Sequence, residues 1–473
     1  MLDPACGSAH FLVVVVNELA DLVVRFLGET PLPEVSTALD RLRTGAGQGA
    51  GVDDVVLLRR LVLKHCVFGV DVSPMGAEVA SLSLWLASFV PGLSLAYLGR
   101  NVMVGNSLVG VLRPEALRPP GADAQRWFLE DQLDEALASA AEAARRVAEG
   151  DDRTPDEVEA SQAADAEARA ATTALERLFD LWTAEPLGLA RAKQEVELHG
   201  PEVLAGRSNG LIREATALGR RHHFLHWPLA FPSVFSRPRP GFDAVIGNPP
   251  WNEVTVEALA FYGLFAPGLR SLAEQPRAAA IAELLARRPN LPDRLAAEQG
   301  RAALERRYLG AGEYASMPGD PDLYKFFSQR YRELLRERGV LGVVLPRSAF
   351  VADGSTGFRS WLFEESTCRR LDFLLNTGRW AFDSEPRYTV ALVSAERARP
   401  PDNQTLRVAG TATSLAQWER QAVSPGLALS HAAFGPGWTV PLLRDQAEAD
   451  LLAKLHRGSA FPRGAGGRWR CFP

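Results

Sequence analysis

The stretch AVIGNPPWNEV, residues 244–254, places Asn248, Pro249, Pro250 and Trp251 directly after an apolar run that reads as a buried strand. The two prolines supply no backbone N–H, so strand pairing stops there and the preceding carbonyls point in fixed directions. The Asn248 side-chain oxygen and the Pro249 carbonyl can together accept hydrogen bonds from one –NH2 group, while Trp251 stacks on the flat ring that carries it. An amine held in this way has its lone pair freed from the ring and aimed outward as a nucleophile. That is the chemistry of methyl transfer to an amino group. Taken alone, the same four residues also read as a proline-rich turn with a core tryptophan.

A second set of residues suits a nucleoside. LDPACGSAHFL, residues 2–12, sets an acidic residue, a proline and a Gly-Ser-small turn ahead of an apolar helix. Backbone N–H groups and a helix N-terminus in such a turn can face a carboxylate or phosphate, and Asp3 adds a carboxylate able to meet a cationic group. Asp71 closes the apolar run VFGVD. In a doubly wound fold an acid at this strand end hydrogen-bonds ribose hydroxyls; it also suits the N-cap of a helix opened by Pro74. Asn106 and Ser107 follow NVMVG, where they can touch a base edge. All three sites lie at the carboxyl ends of expected strands, where open α/β sheets bind ligands, so a nucleoside-containing cofactor is expected. The opening turn lacks G-x-G-x-x-G, and Asp71 lies much farther from it than the roughly 20 residues of the dinucleotide fingerprint, so a diphosphate cofactor is not supported.

The elements that must position these residues alternate. A glycine turn and an apolar helix fill residues 1–27, and a loop with a short helix is expected over 28–54. HCVFGVDVS (65–73) reads as a buried parallel strand, MGAEVASLSLWLASFV as the helix after Pro74, and NVMVGNSL (101–108) as another strand. From about 120 to 220 the texture turns to Ala, Glu, Arg and Asp, predicting exposed helices, an antiparallel pair among them. DPDLYKFFSQRYRELLRERG predicts a helix capped by Asp320 or Asp322 and ended by Gly339. The strand VLGVVLP, a helix through TGFRSWLFEE, and the strands RRLDFLLN and RYTVALVSAE complete an α/β domain with a mostly parallel sheet. Beyond 398 only loops and a short helix, RDQAEADLLAKLHR, are legible.

Composition is that of an ordinary globular protein: 473 residues, 47% hydrophobic and 23% charged. The net charge of −5 conceals an uneven distribution, because residues 121–220 carry about ten net negative charges and leave the remainder mildly basic. Nucleic acid can therefore be met by a local surface. Cys6, Cys66, Cys368 and Cys471 form no C-x-x-C pair, so neither a zinc site nor a disulfide framework is expected and a reducing cytoplasm fits. The apolar segment FLVVVVNELADLVVRFL is broken by Asn17, Glu18, Asp21 and Arg25, and no basic region precedes an apolar one, so neither a membrane span nor a signal peptide is expected. His222, His223 and His226 cluster before Trp227 without matching ligands, and no metal is expected there. The basic PRGAGGRWR near the C-terminus reads as a solvated tail.

Taken in order, DPACGSAHFL, FGVD, GNSL and GNPPW resemble the motifs of the gamma-class N6-adenine DNA methyltransferases. FLHWPLAFPSVF and GFDAVIGNPPW are similar to the lead-in to the catalytic strand in the large type IIG restriction–modification and phage-exclusion enzymes of that class. The resemblance implies a Rossmann-like S-adenosylmethionine-dependent methyltransferase fold with a helical insertion. It implies S-adenosylmethionine as methyl donor, with Asp3, Ala5 and Gly7 around its methionine part, Asp71 at its ribose and Asn106 at its adenine. DLYKFF would bring Tyr324 and Phe327 to the adenine pocket. Asn248 and Pro249 would hold the target amine, and Trp251 and Phe382 would stack on the two faces of a flipped adenine; Phe382 also reads as a core residue leading into a strand.

The division that follows is a cofactor-binding half (1–115), an acidic helical insertion (116–220), a catalytic half (221–397), and a linker (398–473) toward a target-recognition domain. The expected partners are double-stranded DNA and other subunits of a restriction or phage-exclusion system. Two departures matter: the strand that relatives carry ahead of the opening motif is expected to be missing, and so is the recognition domain. A truncated, non-catalytic DNA- or partner-binding fragment is therefore one alternative. A protein-glutamine N-methyltransferase is another, since N-P-P-aromatic also serves there.

Overall fold

The apolar runs that end in Asp3, Asp71 and Asn248 lie side by side as parallel strands of one sheet. In this computed structural model, which describes residues 1–47, 51–113, 115, 130–311, 314, 319–382, 389–401, 406–424, 426–429, 434 and 436–457, β1 is Leu2–Asp3, β2 Phe68–Asp71, β3 Val102–Val104, β4 Phe242–Gly247 and β5 Leu335–Pro346. β6 (Thr367–Leu375), β7 (Thr389–Glu396), β8 (Leu406–Ala412) and β9 (Leu427–Leu429) complete the order β3-β2-β1-β4-β5-β7-β6-β8-β9. β3 through β5 pair in parallel, whereas β7 runs antiparallel to both β5 and β6. This is the expected Rossmann-like architecture, a mixed α/β domain with a mostly parallel sheet. Strand order reverses between β1 and β4, the crevice at which open α/β sheets bind ligands.

The local sequence explains the elements. Helix α1 (His10–Glu29) turns Leu12, Val16 and Ala20 inward at helical spacing. A short helix α2 (Pro33–Gly45), entered through its proline, falls within the expected loop. Helix α3 (Asp54–Cys66) is capped by Asp53. Helix α4 (Pro74–Ala87) is capped by Ser73, whose Oγ accepts from the Gly76 N–H at 3.2 Å.

Three expectations are corrected. The strand expected to be missing ahead of the opening motif is present as β1, where Leu2 pairs with Phe68 on one side and Val245 on the other. The helix entered at Asp322 spans Leu323–Leu334 and ends five residues short of Gly339, because buried Leu335 already pairs with Phe242. Residues 336–339 form a bulge before Val340 pairs with Ala244. Gly339 belongs to that bulge, where a Cβ would come within 2.9 Å of the Arg336 carbonyl. Beyond 398, where a linker is expected, β8 and β9 extend the sheet before the legible helix Gln446–Arg457.

The acidic segment also differs from a solvated arm. Helices α5 (Glu130–Glu149) and α6 (Pro155–Ala184) pack along each other, and α6 buries Ser161, Asp165, Ala168, Thr172 and Leu175 along one face. Asp152, fully buried, pairs with Lys64 of α3 and accepts from the Tyr97 N–H at 2.8 Å and Ser161 Oγ at 2.6 Å. Asp165 pairs with Arg100 and accepts from the Tyr97 hydroxyl at 2.7 Å. These carboxylates face Lys64, Tyr97 and Arg100 in the first hundred residues, not water. Asp152→Ala, which strands the buried Lys64 ammonium, is expected to cost about 3–5 kcal/mol, read as a lowered urea midpoint by circular dichroism; an unchanged midpoint would refute the pairing.

Candidate functional site

β1 delivers Asp3, 2% exposed, to the centre of the sheet's carboxyl edge. The chain then turns tightly: the Ala5 N–H donates to Asp3 Oδ1 at 3.0 Å, the Cys6 N–H to the Val70 carbonyl at 2.9 Å, and the Ala9 N–H to the Cys6 carbonyl at 2.8 Å. Gly7 sits at the exposed crest with φ +53°, and a Cβ there would meet nothing within 4 Å. The turn therefore opens onto free space. Among the described residues no side chain caps the N-terminus of α1, leaving its first N–H groups for a ligand or water.

Asp71 stands beside this turn. Its Oδ2 accepts from the Gly7 N–H at 2.9 Å and its Oδ1 from the Ser73 N–H at 2.8 Å, so Ser73, not Asp71, caps α4. Each carboxylate oxygen keeps a further lone pair. The Gly105 N–H donates to the Asp71 carbonyl at 2.9 Å, which sets the loop after β3 alongside. Asn106 is half-buried, with its Oδ1 taken by the Leu108 N–H at 3.1 Å. Ser107 Oγ donates to the Pro4 carbonyl at 2.6 Å and ties the β3 loop to the opening turn.

The same corner contains the end of β4. At Gly247, φ +151°, a Cβ would lie 2.7 Å from Asp3 Oδ1, so only glycine fits. Asn248 thus begins one residue from the Asp3 carboxyl. Burial pushes the Asp3 carboxyl up to about 7, with the charge of Asp71 adding to it. The Tyr331 phenol, fully buried and with no hydrogen-bond partner for its hydroxyl among the described residues, is raised by burial and then by the charge of Asp3.

Asn248 is exposed, Pro249 buried, Pro250 exposed and Trp251 half-buried. The loop beyond them is fixed to the entrance of helix Leu323–Leu334: the Leu323 N–H donates to the Asn252 carbonyl at 3.0 Å and the Val254 N–H to the Pro321 carbonyl at 3.2 Å. Trp251 packs on a small cluster of Val344, Leu374, Val390 and Ala412, and Phe382 packs on the same cluster. Two aromatics from distant segments therefore share one apolar shelf beside Asn248. Tyr324 and Phe327 are buried in the main core of the sheet, outside the hydrogen-bonded corner of Asp3, Gly7 and Asp71. His226 is occupied, accepting from the Val111 N–H at 3.1 Å and pairing with Asp180 at 3.2 Å. Cys471 and the tail 462–470 lie outside the described residues.

Sequence reasoning missed Gly247 and Tyr331. The signal for Gly247 was a glycine ending a strand that has no turn of its own; for Tyr331 it was a phenol one helical turn beyond Phe327. The arrangement offers an open glycine turn beside two carboxylates, and next to it the exposed carboxamide of Asn248 followed by the aromatic Trp251.

The comparisons with known proteins bear on this geometry. The family model described as Eco57I restriction-modification methylase matches residues 65–261. The matched span holds Asp71, Asn106, the helical insertion and Asn248–Trp251. No similar curated protein was found. Among solved structures, the DrdV–DNA complex is similar over 89% of this chain and 26% of that one, at 12% identity and a TM-score of 0.36. A nuclease-deletion mutant of the type ISP restriction-modification enzyme LlaGI, bound to a DNA substrate mimic, is similar over 94% and 25%, at 11% identity and a TM-score of 0.36. The type IIG restriction endonuclease BpuSI is similar over 66% and 38%, at 14% identity and a TM-score of 0.22. The chain spans about a quarter of the length of the DrdV and LlaGI chains it matches. No helix among the described residues is long and apolar enough to cross a membrane.

The raised Asp3 carboxyl generates a pH prediction. An acid whose pKa rises on folding favours the folded state while protonated, so its contribution is complete at low pH and lost as pH climbs to about 7. Relative to Asp3→Asn, the unliganded chain is expected to lose on the order of 4 kcal/mol between about pH 4 and pH 8, read from urea midpoints of the two proteins. Parallel pH profiles would contradict it.

Proposed function

We propose that this chain binds S-adenosylmethionine and transfers its methyl group to the N6 amine of an adenine flipped out of double-stranded DNA. The observation that carries the reading is the contact of Gly247 with the Asp3 carboxyl, which sets Asn248-Pro249-Pro250-Trp251 against the glycine turn. The residues present fit such a donor. Open space above Gly7 admits it, the Asp3 carboxyl suits its ammonium group, and Asp71 retains lone pairs for two ribose hydroxyls. The cofactor supplies a methyl group already activated by a sulfonium leaving group.

The chain's own residues do the rest. Asn248 Oδ1 and the Pro249 carbonyl accept the two N–H bonds of the amine and turn its lone pair toward the glycine turn. Trp251 and Phe382 hold the base by stacking, which offsets the few kcal/mol of unstacking. Asp3, Asp71 and the glycine turn would hold the donor, which would supply the methyl group and keep the S–C bonding electrons, while the proton displaced from the amine would pass to water beside exposed Asn248. Acceleration comes from orientation and fixed dipoles. Asn106 completes the proposed cofactor side, with Ala5 beside its methionine part. The match of residues 65–261 to a restriction-modification methylase family supports a restriction–modification setting; a phage-exclusion role, other subunits of such a system as partners and work in the cytoplasm belong to the same proposal.

Tritiated methyl transfer from S-adenosylmethionine onto unmethylated genomic DNA, with protein as the competing acceptor, tests the reading. Label in DNA is expected; label in protein alone would favour a glutamine methyltransferase, and no cofactor heat in calorimetry a non-catalytic fragment. Asn248→Ala is expected to lower transfer by about a thousandfold while cofactor affinity stays within about threefold. Equal loss of both would assign Asn248 to the cofactor.

A further inference from the structure

β6 ends at Leu375, and the next residue, Asn376, is fully buried although the turn it opens, residues 377–379, is exposed. Its side chain closes that turn. Oδ1 accepts from the Ala381 and Phe382 N–H groups, both at 3.1 Å, and Nδ2 donates to the Phe382 carbonyl at 2.8 Å. Two backbone donors require the oxygen and one carbonyl requires the nitrogen, so the amide has a single satisfactory orientation. The Trp380 indole N–H donates to the Leu375 carbonyl at 2.7 Å, a second tie across the base of the same loop. The loop it closes ends on Phe382, which rests with Trp251 on the cluster of Val344, Leu374, Val390 and Ala412.

We propose that Asn376 is a positioning residue that fixes Phe382 on the apolar shelf it shares with Trp251, and so sets the slot for the target base. The inference rests on the methyltransferase reading, in which both aromatics hold the base. An apolar cluster alone fixes no register for an aromatic ring on a loop; three hydrogen bonds to the backbone of Phe382 and its neighbour do. Aspartate would lose the donor to the Phe382 carbonyl, and leucine would leave all three backbone groups without this partner.

A double-mutant cycle on methyl transfer to unmethylated genomic DNA tests it. Asn376→Leu is expected to lower kcat/KM for DNA about tenfold with cofactor affinity within about twofold. In a Phe382→Ala background the same substitution should cost less than about twofold, because its effect passes through the aromatic. A full tenfold cost in that background, or a parallel loss of cofactor affinity, would overturn the assignment. Should Asn376→Leu not fold, Asn376→Ser, which keeps one acceptor, takes its place in the same cycle. Failure of the unaltered chain to methylate DNA would sink the methyltransferase reading itself and this inference with it, whereas additive losses would sink the inference alone.

Discussion

The arrangement depends on one close approach, that of the Asp3 carboxyl to the bare backbone of Gly247. β1 and β4 are parallel neighbours, and Leu2 pairs with Val245. The two chain segments leaving them would diverge, one into α1 and one into the diproline corner. They stay together at the start because Gly247 has no side chain to push Asp3 away. A methyl group there would meet a carboxyl oxygen at 2.7 Å, well inside contact distance. The glycine thereby lets an acidic residue, an open glycine turn and an exposed carboxamide meet at one edge of the sheet. Burial of that acid is the electrostatic cost of the arrangement, visible as its raised pKa.

Around this corner the loops are held from outside it. Asp71 binds the glycine turn through Gly7, Ser107 binds it through Pro4, and the chain after Trp251 is stitched to the start of helix Leu323–Leu334. Each tie joins segments far apart in sequence, 103 positions apart for Ser107 and Pro4. A loop carrying a functional residue is thus braced by a neighbouring strand end, which reduces the freedom it would lose on binding a ligand. The same principle extends to the far aromatic, where buried Asn376 closes the loop leading to Phe382.

The acidic insertion contributes to that bracing. Its carboxylates Asp152 and Asp165 are satisfied by Lys64, Arg100 and Tyr97, all from the segment that precedes it in the chain. Asp180 reaches His226, which in turn receives the Val111 N–H. A helical pair with a net negative composition is therefore docked by some of the very charges that make it look solvated. Composition counts charges and cannot tell which are paired in the interior.

The sequence by itself determined the alternation of strands and helices, the strand ends at Asp3, Asp71 and Asn248, and the diproline stop, because period, proline chemistry and glycine turns act locally. It placed the cap of helix Leu323–Leu334 at Asp322 within the right pair of acids, but set its end too late, since Leu335 leaves the helix for a partner, Phe242, that lies 93 residues away. β8 and β9 were invisible for the same reason: a strand at the far edge exists by virtue of its neighbour. Only the tertiary structure decided that Trp251 and Phe382 share a shelf, that Gly247 admits Asp3, that Tyr324 and Phe327 are core residues, and that Asp71 is a turn partner and not a cap. Those are distances between segments remote in the chain, and they are set by the order of strands in the sheet, which no local pattern encodes.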